Sequence, residues 1–99
     1  MEFFGRFSMK IKLMGKVWTF VREKLEYKDK AKGYCESPKS KYKKIVVDSR
    51  LEGEKELEII IHELLHACFW VLSEEHVHQS AEDIARVLTR LDYAKRVDE

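Results

Sequence analysis

Two histidines and a glutamate in the second half of the chain have the spacing of a metal-binding helix. The stretch HELLH places His62 and His66 four residues apart, with Glu63 directly after the first histidine. Residues four apart on an α-helix lie on one face, one turn above each other, so both imidazoles can reach a single ion. Glu63 lies about 100° around the helix from His62, where it flanks that ion without having to bind it. The spacing therefore predicts a zinc site with a carboxylate beside it.

The chemistry that this arrangement supports is hydrolysis. A catalytic zinc ion takes three protein ligands and keeps its fourth position for water, whose pKa it lowers to near 7. Glu63 is placed to accept the proton of that water, and the resulting hydroxide would attack a polarised carbonyl. The pattern predicts a zinc-dependent peptidase that acts on a peptide or protein substrate. The alternative is a zinc-stabilised protein-interaction module with little or no activity, because a metal can supply much of a small domain's folding free energy.

The motif lies on the first of two predicted helices. From Glu54, apolar residues recur at three- and four-residue spacing to about Leu72. Ser73, followed by acidic residues, is typical of an N-cap, and a second amphipathic pattern continues to about Tyr93. The link is so short that we expect an antiparallel helical hairpin. The apolar stripes expected to be buried are Leu57, Ile61, Leu64, Leu65, Cys68 and Val71 in the first helix, and Val77, Ala81, Ile84, Leu88 and Leu91 in the second.

The third zinc ligand is sought on the second helix of that hairpin. If the chain turns around Leu72, residues equidistant from the turn lie at similar heights, which pairs His66 with His78. His78 also lies on the flank of the apolar stripe, so we predict it as the third ligand, with a surface histidine beside His76 as the alternative interpretation. Glu74, one turn earlier on the same flank, and Glu82 are the alternatives. Glu82, level with the first histidine of the motif, is also a candidate to orient a metal-bound imidazole from behind.

The first half of the chain has the patterns of β-strands. Directly after Met9, apolar and polar residues alternate as far as Arg22, with Gly15 as a break, which predicts two short strands or one bulged strand. Residues 23–43 are a long basic connection in which Tyr34 and Cys35 are a possible short strand. The β-branched stretch Lys44–Asp48 predicts a further strand before the first helix.

These elements predict a single α+β domain over residues 1–99. We expect a small antiparallel or mixed sheet of about three strands, followed by the motif helix and an antiparallel C-terminal helix. Residues 1–9 are expected to be a flexible leader, or a segment upstream of an alternative start at Met9. A chain of 99 residues with 44% apolar side chains can bury one modest core.

Composition excludes several classes of protein. Nineteen basic and eighteen acidic side chains leave a net charge of +1, so the bulk charge does not indicate a nucleic-acid partner. No run of 18 apolar residues is present, and charged residues interrupt the apolar stretches near the start, so we expect neither a membrane span nor a secretory signal. Two cysteines are too few for a disulfide scaffold, which favours a reducing cytoplasm. Nothing in the sequence indicates an oligomeric state.

The lysines of the basic connection have two interpretations. They occupy positions 24, 28, 30, 32, 39, 41, 43 and 44. Lysines can contact nucleic-acid phosphates, but acidic residues at four positions from 23 to 36 interrupt this run. A solvated loop is the favoured interpretation, and we expect no nucleic-acid partner.

Among the remaining cysteines and tyrosines, Cys35, Tyr34 and Tyr42 are candidates for a role at the metal. Cys68 lies on the apolar stripe and is expected to be a small core residue. Cys35 lies in the basic connection, where its thiolate could occupy the open zinc position as a latency switch, although we favour a structural role. Tyr34 and Tyr42 are the only tyrosines considered for stabilising an oxyanion, and packing or solvent exposure is the favoured interpretation of both.

Over residues 10–93 the chain resembles short HExxH proteins of bacteria and phages, within the zincin group that includes gluzincins and SprT-like proteins. The resemblance is carried by KVWTFV, GYCESP, KIVVDSRL, IIIHELLHACFW and SEEHVHQSAEDIARVLTRLDY, of which only the HExxH element is specific by itself. It implies a minimal zincin core with zinc as the metal. Gluzincin-like members use a glutamate of the second helix as third ligand; here the matching place holds His78, which implies three histidines, as in SprT-like proteins. The resemblance also implies that Lys44–Asp48 or the Tyr34-Cys35 segment lies beside a peptide added to a sheet edge.

Overall fold

The protein is described by a computed structural model that covers residues 7–26 and 32–94. The fold is α+β, with a four-stranded mixed sheet and two helices, so it has one strand more than expected. The strands are β1 (Phe7–Leu13), β2 (Lys16–Glu23), β3 (Gly33–Cys35) and β4 (Lys44–Asp48), and the helices are α1 (Gly53–Cys68) and α2 (Glu74–Arg90). Of the predicted leader, residues 7–9 belong to β1, and residues 1–6 lie outside the described part of the chain.

The strands lie in the order β1-β2-β4-β3. β1 and β2 form an antiparallel hairpin around Met14 and Gly15, whose φ angles of 50° and 76° fit a tight two-residue turn between twisted strands. β4 pairs parallel to β2 and antiparallel to β3. The break predicted at Gly15 is thus a hairpin turn. Because β4 is bordered by strands on both sides, β3 forms the sheet edge at this end.

The core lies between the sheet and α1. Trp18 and Phe20 of β2 and Ile45 and Val47 of β4 are buried on the helix side of the sheet. The α1 residues that pack against this cluster are Ile59, Ile60, Leu64 and Ala67. This packing fixes the rotation of α1 about its axis, and it therefore decides where the motif residues point.

Asp48, the last residue of β4, organises the turn that leads into α1. Its carboxylate accepts hydrogen bonds from the backbone N–H and the guanidinium of Arg50, at 2.9 Å from the backbone nitrogen and 2.9 Å from Nε. These bonds hold the pKa of Asp48 below its usual value, against the opposing effect of its burial. α1 begins after this turn. Glu54 and Glu56 lie in its first turn, where their negative charges interact favourably with the positive end of the helix dipole.

The two helices differ from the prediction in their ends and in their buried faces. α1 ends at Cys68 rather than near Leu72, and Val71, predicted to be buried, is 94% exposed. The N-cap at Ser73 is confirmed. The buried residues of α2 follow a strict four-residue spacing: Val77, Ala81, Ala85 and Thr89. The predicted stripe residues Ile84 and Leu91 are exposed instead, because the small side chains of this row allow α2 to lie close to its neighbour. Neither described helix is long and apolar enough to cross a bilayer.

Candidate metal centre

Three side chains converge where the start of α2 meets the second half of α1. His62 and His66 stand one turn apart on α1, with ring centroids 4.9 Å apart. The carboxylate of Glu74, the first residue of α2, lies between them, with Oε2 2.9 Å from Nε2 of His62 and Oε1 2.9 Å from Nε2 of His66. One ligand atom from each residue lies within 4.8 Å of the others. The first two predicted ligands are therefore brought together, and a carboxylate completes the group.

The donor atoms suit a zinc ion. Zinc binds imidazole nitrogen and carboxylate oxygen at about 2.0–2.2 Å, which places the ligand atoms of a tetrahedral site about 3.3 Å apart. The two contacts of Glu74 with the histidine Nε2 atoms are 2.9 Å, and the three ligand atoms all lie within 4.8 Å of one another, which is compatible with shared binding of one ion. Two imidazoles and one carboxylate also form a donor set used by catalytic zinc sites, whereas Mg²⁺ and Ca²⁺ prefer oxygen ligands alone.

The short link between the helices places Glu74. The N–H of Phe69 donates to the carbonyl of Leu65 at 2.8 Å, and the N–H of Leu72 donates to the carbonyl of Phe69 at 2.9 Å, so the chain turns sharply after α1. Ser73 then begins α2, because its hydroxyl accepts the N–H of His76 at 3.2 Å. The acidic residue directly after this cap faces the two histidines across the hairpin.

The converging group contains Glu74, one of the two alternatives named from the sequence, and it includes neither His78 nor Glu82. The ring of His78 lies beside that of His62, with centroids 6.2 Å apart, and the side chain is exposed; it is not part of the converging group. Because α1 ends four residues before the predicted turn, the first turn of α2, and not the second, is level with both histidines. Glu82 accepts a hydrogen bond from Gln79 of its own helix at 3.5 Å. The signal in the sequence that points to Glu74 is its position directly after the N-cap Ser73, at the end of the short link between the helices.

Glu63 lies beside the group in a buried position. It is 7% exposed, and it faces β3, where its Oε2 would lie 3.3 Å from a Cβ added to Gly33. Burial, followed by the negative charge of Glu74, raises the pKa of Glu63 to about 7. Burial also lowers the pKa of His62, which favours the neutral imidazole that a metal requires. The site therefore combines a histidine whose neutral form is favoured with a carboxylate that can hold or release a proton near neutral pH.

These groups line one open cleft of about 380 Å³ between α1, the start of α2 and the edge strand β3. Trp70, which the sequence analysis did not single out, borders it with its ring centroid 6.2 Å from that of His66. Tyr34 also lines the cleft, whereas Tyr42 lines a separate pocket. Cys35 lies in the cleft wall, and burial together with the charge of Glu63 raises the pKa of its thiol to about 12.

Comparisons with known proteins give no match: no family model, no curated protein and no solved structure is similar to this chain. The functional assignment therefore rests on the geometry of the site.

At Gly33 the edge strand β3 approaches α1 closely. A Cβ at this position would lie 2.9 Å from the backbone oxygen of Val46 and 2.9 Å from Cγ2 of Ile59. We expect Gly33→Ala to push β3 away from α1 and to lower the free energy of unfolding by about 1–3 kcal/mol. Chemical denaturation measures this change. Gly15→Ala is the control, because a Cβ added there meets nothing within 4 Å. In that variant the free energy of unfolding should fall by about 1 kcal/mol, from the positive φ alone. Equal stability of Gly33→Ala and wild type would contradict the close approach.

The buried carboxylate of Glu63 should also make the metal-free protein less stable as pH rises. Its pKa is about 7 in the folded chain against 4.5 normally, so between these values the unfolded chain releases the proton first and stability falls with rising pH. Glu63→Gln removes this effect. Without metal, the variant should match wild type near pH 4.5 and exceed it at pH 8 by about 2–3 kcal/mol. Thermal unfolding at both pH values tests the sign, and a variant that is less stable at pH 8 would contradict it.

Proposed function

We propose that this chain is a zinc-dependent peptidase in which His62, His66 and Glu74 hold the metal and Glu63 is the general base. The observation that carries the proposal is the convergence of the Glu74 carboxylate on both Nε2 atoms of the motif histidines, next to the buried carboxylate of Glu63. The convergence of Glu74 on the histidines, or the buried carboxylate of Glu63, would be weaker support if it were present alone. Together they combine a metal-binding donor set with a proton acceptor, in a cleft open to solvent.

Each residue has a defined role in this proposal. The bound zinc would supply the Lewis acidity that polarises a carbonyl and lowers the pKa of water. Glu63 accepts a proton in the cleft and returns it to the leaving amine, a role that its buried position beside the ligand group favours. Glu74, with a side chain 70% exposed, holds the two imidazoles from the solvent side and leaves the β3 side of the cleft open.

The edge strand β3 is the proposed binding surface for the peptide. Of the two segments that the sequence placed beside the substrate, Lys44–Asp48 forms the inner strand β4, which already pairs on both sides. β3 contains the other segment, Tyr34-Cys35, and both residues line the cleft. An extended peptide that paired with this edge through backbone hydrogen bonds would lie across Glu63 and the ligand group.

The ligand set is tested by matched alanine variants on α2. We expect Glu74→Ala to weaken zinc binding by about tenfold to a hundredfold, because the ion loses one of three protein ligands. His78→Ala, one turn later on the same helix, should bind one zinc with nearly wild-type affinity. Competition with a chromophoric chelator measures both, and X-ray absorption should report two nitrogen ligands from the protein. Loss of affinity in the His78 variant alone would reassign the third ligand to His78.

A second candidate function is a zinc-stabilised interaction module, and one observation favours it. The turn between the helices carries four consecutive large apolar side chains, Phe69 to Leu72, each at least 42% exposed. An apolar patch beside the cleft is typical of a surface that contacts another protein. The two functions separate in a cleavage assay: a fully zinc-loaded chain that cleaves no unfolded protein or peptide library supports the module.

A further inference from the structure

A second cleft lies on the sheet face that points away from the helices. Its volume is about 590 Å³, and four lysines contribute to its lining together with Thr19 and Tyr42. The lysines are Lys10, Lys41, Lys43 and Lys44. It shares no lining residue with the metal centre.

The strand register explains why these lysines meet. Lys10 of β1 pairs with Thr19 of β2, and Thr19 pairs with Lys44 of β4, so the three form one row across the sheet. Paired residues point to the same face, and neighbours of Thr19 along β2 point to the helices. Strands lie about 4.8 Å apart, so the backbones of Lys10 and Lys44 are separated by about 10 Å. The loop before β4 adds Lys41 and Lys43 to the lining, and the carbonyl of Lys43 accepts the N–H of Thr19 at 2.9 Å.

Within the described part of the chain, Glu36 is the one lining residue that offsets the positive charge of the four lysines. Within residues 7–26 and 32–94, no ion pair includes any of the four lysines. Lys10 donates to the Thr19 hydroxyl at 2.7 Å, and Lys43 donates to the carbonyl of Ser40 at 3.2 Å. Glu36 is the one carboxylate among the lining residues, which leaves a formal charge of +3. Like charges gathered in this way repel one another, and a bound anion would relieve that repulsion.

The charges of the whole sequence are distributed unevenly, with the excess of positive charge in the half that forms the sheet. Residues 1–50 hold 14 of the 19 basic side chains and six of the 18 acidic ones, so the net charge of +1 conceals a basic sheet half and an acidic helical half. Such a distribution attracts anions to the sheet face and repels them from the helices.

We propose that this cleft binds a small ligand with two or more linked phosphate groups, such as a nucleoside di- or triphosphate. The 10 Å row offers two anchoring ammonium groups, with the Thr19 hydroxyl between them, which suits an extended oligophosphate better than a single phosphate. The ring of Tyr42, 73% exposed with the Lys41 ammonium 5.4 Å from its centroid, provides an aromatic surface for a base. The volume lies in the range of small-molecule sites and favours such a ligand over a polymer.

Calorimetric titration of the full chain with inorganic tripolyphosphate tests the site. We expect Lys10→Gln and Lys44→Gln each to weaken binding about tenfold, the loss of one charge-assisted hydrogen bond. Lys12→Gln and Lys39→Gln remove the same charge from lysines that do not line the cleft, and they should change Kd by less than about twofold. Glu74→Ala should bind tripolyphosphate as wild type does, which separates this site from the proposed zinc centre.

Four results would overturn the proposal. Absence of measurable tripolyphosphate binding, or equal weakening by cleft and control lysines, would reduce the cleft to a charged surface. Loss of binding in Glu74→Ala would move the anion to the metal centre. Tighter binding of a single-stranded oligonucleotide, with a steep dependence on salt, would assign the face to a nucleic acid instead.

Discussion

Replacing Glu63 with Gln should lower kcat/KM for peptide cleavage by a factor of about 100 or more while the chain still binds zinc. The amide keeps the size and the buried position of the side chain but cannot accept a proton, and general-base catalysis typically contributes about 10²–10⁴ to the rate. Zinc affinity should stay within a few-fold, because the ligand atoms belong to other residues. A quenched peptide library, cleaved at matched zinc content, measures the difference.

Glu58→Gln is the matched control for this variant. Glu58 is also on α1 and is 8% exposed, so the same substitution is made in the same helix at similar burial. Its carboxylate contacts Lys55 at 3.5 Å and does not line the metal cleft, and its loss should change activity by no more than a few-fold. Equal loss in both variants would point to a general disturbance of α1. Wild-type activity in Glu63→Gln would exclude Glu63 as the base.

Removing zinc should lower the melting temperature by about 20 °C. An ion that binds only the folded chain stabilises it by about 4 kcal/mol when its free concentration is a thousand times Kd. For a chain of this size, each kcal/mol corresponds to about 4–8 °C. Because the ligands come from α1 and α2, the ion would join the helices across their link. Differential scanning calorimetry with buffered zinc and with a chelator measures the shift.

Two comparisons make the zinc measurement specific. Magnesium at the same free concentration should leave the melting temperature unchanged, since it prefers a shell of oxygen ligands. His66→Ala should be insensitive to zinc and should melt near the metal-free wild type. A similar shift with zinc in this variant would place the stabilising ion elsewhere on the chain.

Local signals in the sequence identified much of the fold. The strand Lys44–Asp48 and the cap at Ser73 have the predicted bounds, since a β-branched run and an N-cap depend on adjacent residues. The same holds for His62 and His66, whose spacing on one helix face brings them together. These features need no knowledge of what packs against them.

The features that differ from the sequence-based expectation depend on contacts between segments that are distant in the sequence. Whether α2 buries Ala85 or Ile84 is decided by how closely it lies to α1, and that choice is not contained in its own periodicity. The end of α1 at Cys68 changed which turn of α2 faces the histidines, and thereby brought Glu74 forward in place of His78. The approach of Gly33 to Glu63 likewise joins an edge strand and a helix thirty residues apart.

The short distance along the chain between the proposed metal ligands has a consequence for folding. All three lie within thirteen consecutive residues, so bringing them together closes a small loop and costs little chain entropy. The parallel pairing of β2 with β4, by contrast, joins residues about 25 positions apart and must form against a larger entropic cost. We therefore expect zinc to be captured by the nascent helical hairpin before the sheet assembles, so that metal added during refolding should accelerate folding as well as slow unfolding.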